Sequence, residues 1–549
     1  MLLFSLGLRT ARLPGICRRP GFKSDFRIFS KQFSNPASRI SRPFSILPIT
    51  NSSHPRSLIT SASPQNDVTN RVYSHPPVKL DSSSESKLSD IKRRPVCLSS
   101  HCFSSLFPNI AAFVQDGFYS FSSDRDPSLF GVLLVDRSMR EKFHIVSYEI
   151  KQLDDEYLRK SVRSATQKRR KLEEKGWFKM KSDSAFRLVN GAEDGLPYLT
   201  IDIYAGHAFV VVYSAHWLPT LSTVASACLA NIDFVKNVHV QTRIRGGLAQ
   251  QIPSVAGGKE CNSAANALVF KAERDASDEL SQKVANNLQQ QERIYNHLIG
   301  DQNPDNLIVT ESDVQFNVRL KENPLTTGLY LDQCDNRKKL TQQVIELVRD
   351  HDCDSVTILS TFAHTCAFSL AISAMIRKLG YRVQSVNIDT SIDVLEWGKR
   401  NFTLNQFSVD GQQDHQLVKE DVFSVLPKYL DNNQKFDIVI LDPPPVSFHT
   451  RVGIFNTSKH YEKLVSMAAP LVKKPGLLAC FSTVQNQKRR AWIKKVFEGI
   501  SHPQNGKKER HSEWRVLEYL EEARHFHPNE KKTRVRSRFK GVVLKHFAS

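Results

Sequence analysis

Residues 436–445 read Phe436-Asp437-Ile438-Val439-Ile440-Leu441-Asp442-Pro443-Pro444-Pro445. The apolar run has the length and β-branched content of a strand buried on both faces, as in a parallel sheet. An acid and three prolines end it. Proline locks φ and removes an N–H donor, so the ladder stops here. The Asp442 carboxylate is thereby held at the strand's carboxyl end, the edge where open α/β sheets bind ligands.

The surrounding pattern supports that reading. Val314, Phe316 and Val318 alternate as a half-buried strand should. Further strands are expected at Val356–Leu359, Val383–Ile388, Leu417-Val418 and Gly476–Phe481. Helices are expected over Phe368–Leu379, Ile392–Asn401 and Tyr461–Leu471. Strands alternating with helices imply a parallel sheet covered on both faces. Asp389, Asp421 and Asp442 close three successive strands, so all three line one crevice. An acid after the second strand can accept both hydroxyls of a ribose, and one after the third can accept from an adenine amino group. A dinucleotide enzyme would need Gly-x-Gly-x-x-Gly after the first strand. Here the loop Ser360–Ala367 has no glycine, which disfavours a pyrophosphate.

The chain has 549 residues, room for two to four domains. Its formal net charge is +20, which points to an anionic partner, nucleic acid first. No apolar stretch approaches the roughly 20 residues that span a bilayer, and no membrane partner is expected. The nine cysteines show neither zinc spacing nor a compact disulfide framework, and no metal site is expected. Residues 1–50 hold nine Lys/Arg and one acid, Asp25, with frequent Ser and Phe. That is the composition of an organellar transit peptide. Residues 1–90 are read as transit peptide and disordered linker, with mitochondrion slightly ahead of plastid.

Short apolar runs at Ile110–Val114, Phe130–Val135 and Phe143–Tyr148 suggest a β-rich module over 100–180. It ends in a basic segment, Arg159–Lys181, with ten Lys/Arg against Glu173 and Glu174. A solvated helix face is the simpler reading of that segment, and a phosphate-binding helix the sharper one. A second β-rich unit, 184–250, holds a hairpin from Phe186 to Tyr204 around Asp194-Gly195, then a strand Phe209–Tyr213. Residues 251–305 are polar and read as an insertion with a helix near Ser277–Leu298; residues 306–549 form the α/β domain.

Thr327-Gly328-Leu329-Tyr330-Leu331-Asp332-Gln333-Cys334-Asp335-Asn336-Arg337 resembles the "TGxxLDQRxxR" segment of the bacterial large-subunit rRNA methyltransferase I family. Phe186–Tyr204 is similar to that family's "RLxxGExDGLPGLxxD" hairpin, Thr361–Ser369 to its "FxYTGGFS" loop, and Val394–Asn405 to its "ALxxAxxNxxLN" helix. Asp442-Pro443-Pro444 resembles "DPPKF", and His527-Pro528 and Arg538–Gly541 resemble its last motifs. The resemblance implies a class I S-adenosylmethionine (SAM) methyltransferase fold, Rossmann-like, with a mostly parallel seven-stranded sheet. It implies SAM as cofactor, held by Tyr330, Gln333, Arg337, Ala363, Thr365, Asp389, Asp421 and Asp442. It also implies a PUA-like RNA-binding module near the amino terminus and a partner RNA, ribosomal RNA or a pre-ribosomal particle.

Three positions depart from the family. Cys366-Ala367 replaces the loop glycines. Val446, not an aromatic, follows the prolines, and Phe448 is the nearest aromatic. Thr483 stands where the family carries the nucleophilic cysteine of its "FSCS" segment. Cytosine C5 methylation needs a thiolate, and a threonine hydroxyl is a far poorer nucleophile. Cys480, at an odd offset, faces the other side of the strand. The catalytic candidates are Asp442 and Thr483, and the acceptor that fits them is a ring or exocyclic nitrogen. An assembly factor that kept the fold and lost the chemistry, and a methyltransferase for a protein or small molecule, remain open alternatives.

Overall fold

The computed structural model describes residues 115–139, 142–150, 152–244, 305–321, 326–351, 354–409, 415–450, 453–485, 487–502, 513–528 and 539–547, with Val78–Leu80, Glu85, 96–98 and Phe107 before them. The transit segment, the Ile110–Val114 run and the Ser277–Leu298 helix lie outside the described residues.

Five strands form the first sheet: β1 (Val78–Lys79), β2 (Val96–Leu98), β3 (Gly117–Ser122), β4 (Phe130–Val135) and β5 (Phe143–Ser147), in the order β1-β3-β4-β5-β2. The linker expected through residue 90 is thereby corrected. Val78 pairs with Phe121, and Val78 and Leu80 are buried beside Phe107, Phe121 and Leu133. A two-residue strand in a Ser- and Pro-rich stretch shows no periodicity to read.

Helix α1 (Asp155–Glu174) follows, capped by Asp154, whose side chain accepts from the Tyr157 N–H. Next come β6 (Ala185–Asn190), β7 (Leu199–Tyr204), β8 (His207–Val212), helix α2 (Leu221–Asn231) and β9 (Asn237–Thr242). These four strands make a sheet in chain order, antiparallel except for the parallel β8–β9 pair. Phe118, Val132 and Val146 of the first sheet share one core with Leu158 and Val162 of α1 and with Phe186, Ile201 and Trp217. β10 (Leu307–Glu311) and β11 (Val314–Val318) form a hairpin.

The α/β domain runs α3 (Cys334–Asp350), β12 (Ser355–Thr361), α4 (Ala367–Lys378), β13 (Arg382–Asp389), α5 (Ile392–Leu404), β14 (His415–Lys419), α6 (Val422–Asp431) and β15 (Phe436–Leu441). A hairpin β16 (Val446–Thr450) and β17 (Gly453–Asn456) then leads to α7 (Thr457–Ala468), β18 (Val472–Ser482), α8 (Arg489–Ser501), β19 (Trp514–Leu520) and β20 (Lys540–His546). The seven-stranded sheet has the order β14-β13-β12-β15-β18-β20-β19. It is parallel from β14 to β18 and antiparallel at β20 and β19. Side chains alternate between two cores as a period of two requires. Leu359, Val439, Leu441, Leu478 and Cys480 enter one; Ile358, Ile438, Ile440, Leu477 and Phe481 enter the other.

One buried cation joins the units. Arg169 of α1 is fully buried. Its guanidinium donates to Asp194 at 2.8 Å, to the Arg187 carbonyl at 3.1 Å and to the His525 carbonyl at 2.8 Å. Around it, Asn190 Nδ2 donates to the Phe526 carbonyl at 2.8 Å, and His527 bridges Glu193 and Glu522. Burial works against protonation of His527, but its hydrogen bonds to the two carboxylates prevail and push it up to about 10.

Removing one partner of a buried pair leaves the other charge uncompensated, at a cost of about 3–5 kcal/mol. Asp194→Ala should therefore lower stability by about that amount in urea unfolding. The double substitution Arg169→Met/Asp194→Leu should cost clearly less.

Candidate active site

Strand pairing sets the geometry. In β12, Thr361 lies opposite Ile388 of β13 on one side and Leu441 of β15 on the other. Asp389 and Asp442 each follow the residue opposite Thr361. They flank β12 at two strand spacings, about 10 Å apart. Asp421 follows β14 and caps α6 by accepting from the Phe423 N–H at 3.1 Å. Thr483 follows β18, where Cys480 lies opposite Leu441. The sheet thus brings Asp389, Asp442 and Thr483 to one edge, and the Asp421 carboxylate there also serves as a helix cap.

The loop after β12 is where the missing glycines matter. Phe362, His364 and Cys366 have φ of 53°, 50° and 61°, a left-handed conformation that costs L-residues roughly 1–2 kcal/mol each. Tertiary contacts hold it. The Ala363 N–H donates to the Ile388 carbonyl at 2.9 Å and the Cys366 N–H to the Ala363 carbonyl at 2.8 Å. The His364 N–H donates to Asp389 Oδ2 at 2.9 Å, and Thr365 Oγ1 donates to the Gly328 carbonyl at 2.6 Å. Gly398 makes room for the cysteine, since a Cβ there would sit 2.7 Å from Cys366 Sγ. Ala367 packs against the cluster around Leu329, Leu370 and Leu395.

The segment before α3 closes the other side. Gly328 has φ 91°, and a Cβ there would lie 2.2 Å from the Trp397 ring. Tyr330 is half exposed, and its ring lies 4.9 Å from that of His364. Gln333 is buried, and its Nε2 donates to Asp442 Oδ2 at 3.4 Å. Arg337 is engaged elsewhere. It is buried, grips Glu311 through two bonds of 2.7 and 2.6 Å, and donates to the Tyr330 carbonyl at 3.0 Å. Its expected cofactor contact is therefore corrected to a positioning role: it fixes the backbone at Tyr330. Thr365 is likewise buried and bound to Gly328.

The electrostatics single out Asp442. Burial, reinforced by the nearby Asp332 and opposed by Arg337, pushes it up to about 7. Asp332 is itself pushed up to about 6, by burial and then by Glu522, with Arg337 and Arg187 opposing. Burial also raises Asp389, against the N–H groups of Ser391 and His364 that it accepts.

None of the nearby thiols is poised to ionise. Cys480 is fully buried and pushed up to about 12 by burial, with a Tyr461 hydrogen bond opposing. Burial also raises Cys366 and Cys334. Cys334 Sγ lies 3.2 Å from His525 Nε2, but His525 Nδ1 accepts the Arg187 N–H at 3.1 Å. The imidazole therefore carries its proton on Nε2, facing the sulfur, and cannot take one from it. The Thr483 hydroxyl has no hydrogen-bond partner among the described residues and is half-buried.

Residues 283–486 match the model of the S-adenosylmethionine-dependent methyltransferase family. The cofactor of this domain is S-adenosylmethionine. Two solved structures share the fold at 19% identity, each aligned over 85% of this chain and 99% of its own length. They are SMU.776, a methyltransferase complexed with SAH, at TM-score 0.59, and a SAM-dependent methyltransferase from Streptococcus mutans, at 0.58. The ribosomal RNA large subunit methyltransferases I of Yersinia pseudotuberculosis and Yersinia pestis are 25% identical over 302 residues, or 54% of this chain. The chain spans 61% of the length of these relatives. The α/β domain has the class I methyltransferase fold.

The loop suits SAM. The N–H groups of Ala363, His364 and Cys366 are spent on Ile388, Asp389 and Ala363, which leaves fewer donors for a pyrophosphate, and SAM carries none. Asp389 keeps acceptor capacity for a ribose diol beyond its two N–H bonds. His364 Nε2 is buried with no hydrogen-bond partner among the described residues, a polar atom that suits a ligand contact. His364, Asp332, Glu311 and Gly398 were not singled out as site residues from sequence; the first two and Gly398 lie inside quoted motifs, and Glu311 carried no signal there.

Adding a methyl at Gly398 should push on Cys366. Gly398→Ala is expected to cost about 1–3 kcal/mol by overpacking and to weaken SAM binding in calorimetry. Combining it with Cys366→Gly should restore most of both, because the colliding sulfur is gone and glycine tolerates the left-handed φ.

Proposed function

We propose that the protein is a SAM-dependent RNA methyltransferase that modifies a base of organellar ribosomal RNA, at a nitrogen, without a covalent enzyme–base intermediate. The observation that carries this reading is the pairing of Asp442, raised to about 7, with an edge that offers no ionisable thiol. SAM supplies an electrophilic methyl group when bound. Asp389 would hold the ribose, and Tyr330 and the Ala363–Thr365 loop would line the cofactor's place. Asp442 would orient the acceptor nitrogen and take its proton, a task suited to a base near neutrality. Gln333 positions Asp442, and Arg337 positions Tyr330. The rRNA substrate is supported by the curated relatives' names and the chain's basic charge. The organelle is supported by the Arg- and Ser-rich, acid-poor first 50 residues.

Mass mapping of rRNA nucleosides after gene disruption tests the substrate. Loss of one base methyl mark in organellar rRNA is expected, and an unchanged rRNA profile contradicts the proposal. Methyl transfer should rise with pH through about 7 as Asp442 ionises. Asp442→Asn should cost on the order of 100-fold in rate and erase that limb. Asp332→Asn should move its midpoint to lower pH, because a neighbouring negative charge is removed. Thr483→Ala should change the rate less than about twofold.

A further inference from the structure

The basic helix α1 has two faces with different fates. Leu158, Val162, Ala165, Arg169 and Leu172 are buried, and the apolar ones among Leu158, Val162 and Ala165 enter the core shared with β6–β8. Between Arg159 and Lys181, eight of the ten Lys/Arg are exposed, five on α1 and three on the segment that follows it, against one exposed acid, Glu174. Glu173 is turned to its own chain and accepts the Met180 N–H at 2.7 Å. Arg163, Lys171, Lys179 and Lys181 have no carboxylate partner among the described residues. From Arg163 to the helix end the row runs about 18 Å, long enough to meet several successive phosphates.

The helix ends in a built feature. The Gly176 N–H donates to the Glu173 carbonyl and the Trp177 N–H to the Leu172 carbonyl, with Gly176 at φ 75°. This is the paired bonding of a Schellman stop. It leaves Trp177 exposed at 36%, with the Arg524 guanidinium 3.1 Å above its ring. Arg524 in turn donates its N–H to Asp335 Oδ2 at 2.9 Å. Asp335 is two residues from Gln333, which holds Asp442. The cationic row therefore ends, through a stacked Trp–Arg pair, at the segment that carries the active-site Gln333.

We propose that the exposed face of α1 from Arg163 onward, together with Trp177 and the lysines of the segment that follows it to Lys181, is the surface that holds a single-stranded stretch of the substrate RNA on its way to Asp442. Cations along a backbone and an aromatic face for a base are the two elements of sequence-tolerant single-strand binding. An anionic membrane is the weaker occupant, because an interfacial helix needs a free apolar face and that of α1 is already buried. The inference rests on the RNA-methyltransferase reading and adds the place where RNA is held.

The test is binding of the full chain to a fluorescein-labelled oligouridine of about 20 nucleotides over a range of salt. Each lost phosphate contact lowers the slope of log K against log salt by about 0.7. The variant Arg163→Gln/Lys171→Gln/Lys179→Gln should therefore lose about 2 in slope. Trp177→Ala should lose about tenfold in affinity with little change of slope. Both should melt and bind SAM as the wild type does, since the residues are exposed and outside the crevice. Wild-type binding with an unaltered slope in the triple variant overturns this inference and leaves the proposed function standing. No binding by the wild type overturns both. Intact RNA binding with loss of binding to phosphatidylglycerol vesicles assigns the face to a membrane and overturns the inference.

Discussion

Everything at the proposed active site hangs on the parallel pairing of β12 between β13 and β15. Because Thr361 is opposite both Ile388 and Leu441, the next residue on each flank, Asp389 and Asp442, is delivered to the same edge. A register slip of one residue would turn each strand's side chains to the other face and bury the wrong set in both cores. The register is protected by the fully apolar stretches Ile358-Leu359 and Ile438–Leu441, all essentially inaccessible to solvent. Packing and chemistry are thus specified by the same ladder.

The second constraint is local and costly. Three non-glycine residues in left-handed conformation within five positions are tolerated only because Ile388, Asp389 and Gly328 bind the loop at both ends and Gly398 leaves space beneath it. The bond from His364 N–H to Asp389 couples the loop to the carboxylate assigned to ribose. Strain at such a place is stored by the surrounding structure and used for preorganisation. The amino-terminal units are coupled to the same region by Arg169, whose contacts run to the His525 carbonyl, two residues from Ala523, whose N–H donates to the Asp332 carbonyl at 2.9 Å.

Much of this was legible in the residues. The alternation of apolar runs and helical periods located β12 to β15, β18 and the helices α4, α5 and α7 within a few residues, since buried parallel strands are short, apolar and bounded, whereas α3, α6 and α8 were not read. Asp389 and Asp442 were readable because they close such runs. Arg337 was misread because its motif position says nothing about Glu311, which approaches from a hairpin 26 residues earlier. The burial of Arg169 was hidden among ten similar cations, and only the packing of α1 distinguishes it. The left-handed loop was visible only as an absence of glycine, which sequence reasoning takes as a departure and the structure resolves as strain with named compensations. β1, two residues long, left no pattern at all.

The chemistry turns on what is missing beside Asp442. Cys480 points into the core with Tyr461, Cys366 Sγ is buried under Gly398, and Cys334 faces a protonated Nε2, so none of the described thiols near Asp442 is placed to add to a pyrimidine ring. The most direct measurement is a trapping assay with substrate RNA carrying 5-fluorocytidine in place of cytidine. A cysteine mechanism is arrested as a denaturant-stable protein–RNA adduct. Methyl transfer from radiolabelled SAM to that RNA should continue with no adduct; a stable adduct that forms only with SAM would contradict transfer to a nitrogen without a covalent intermediate.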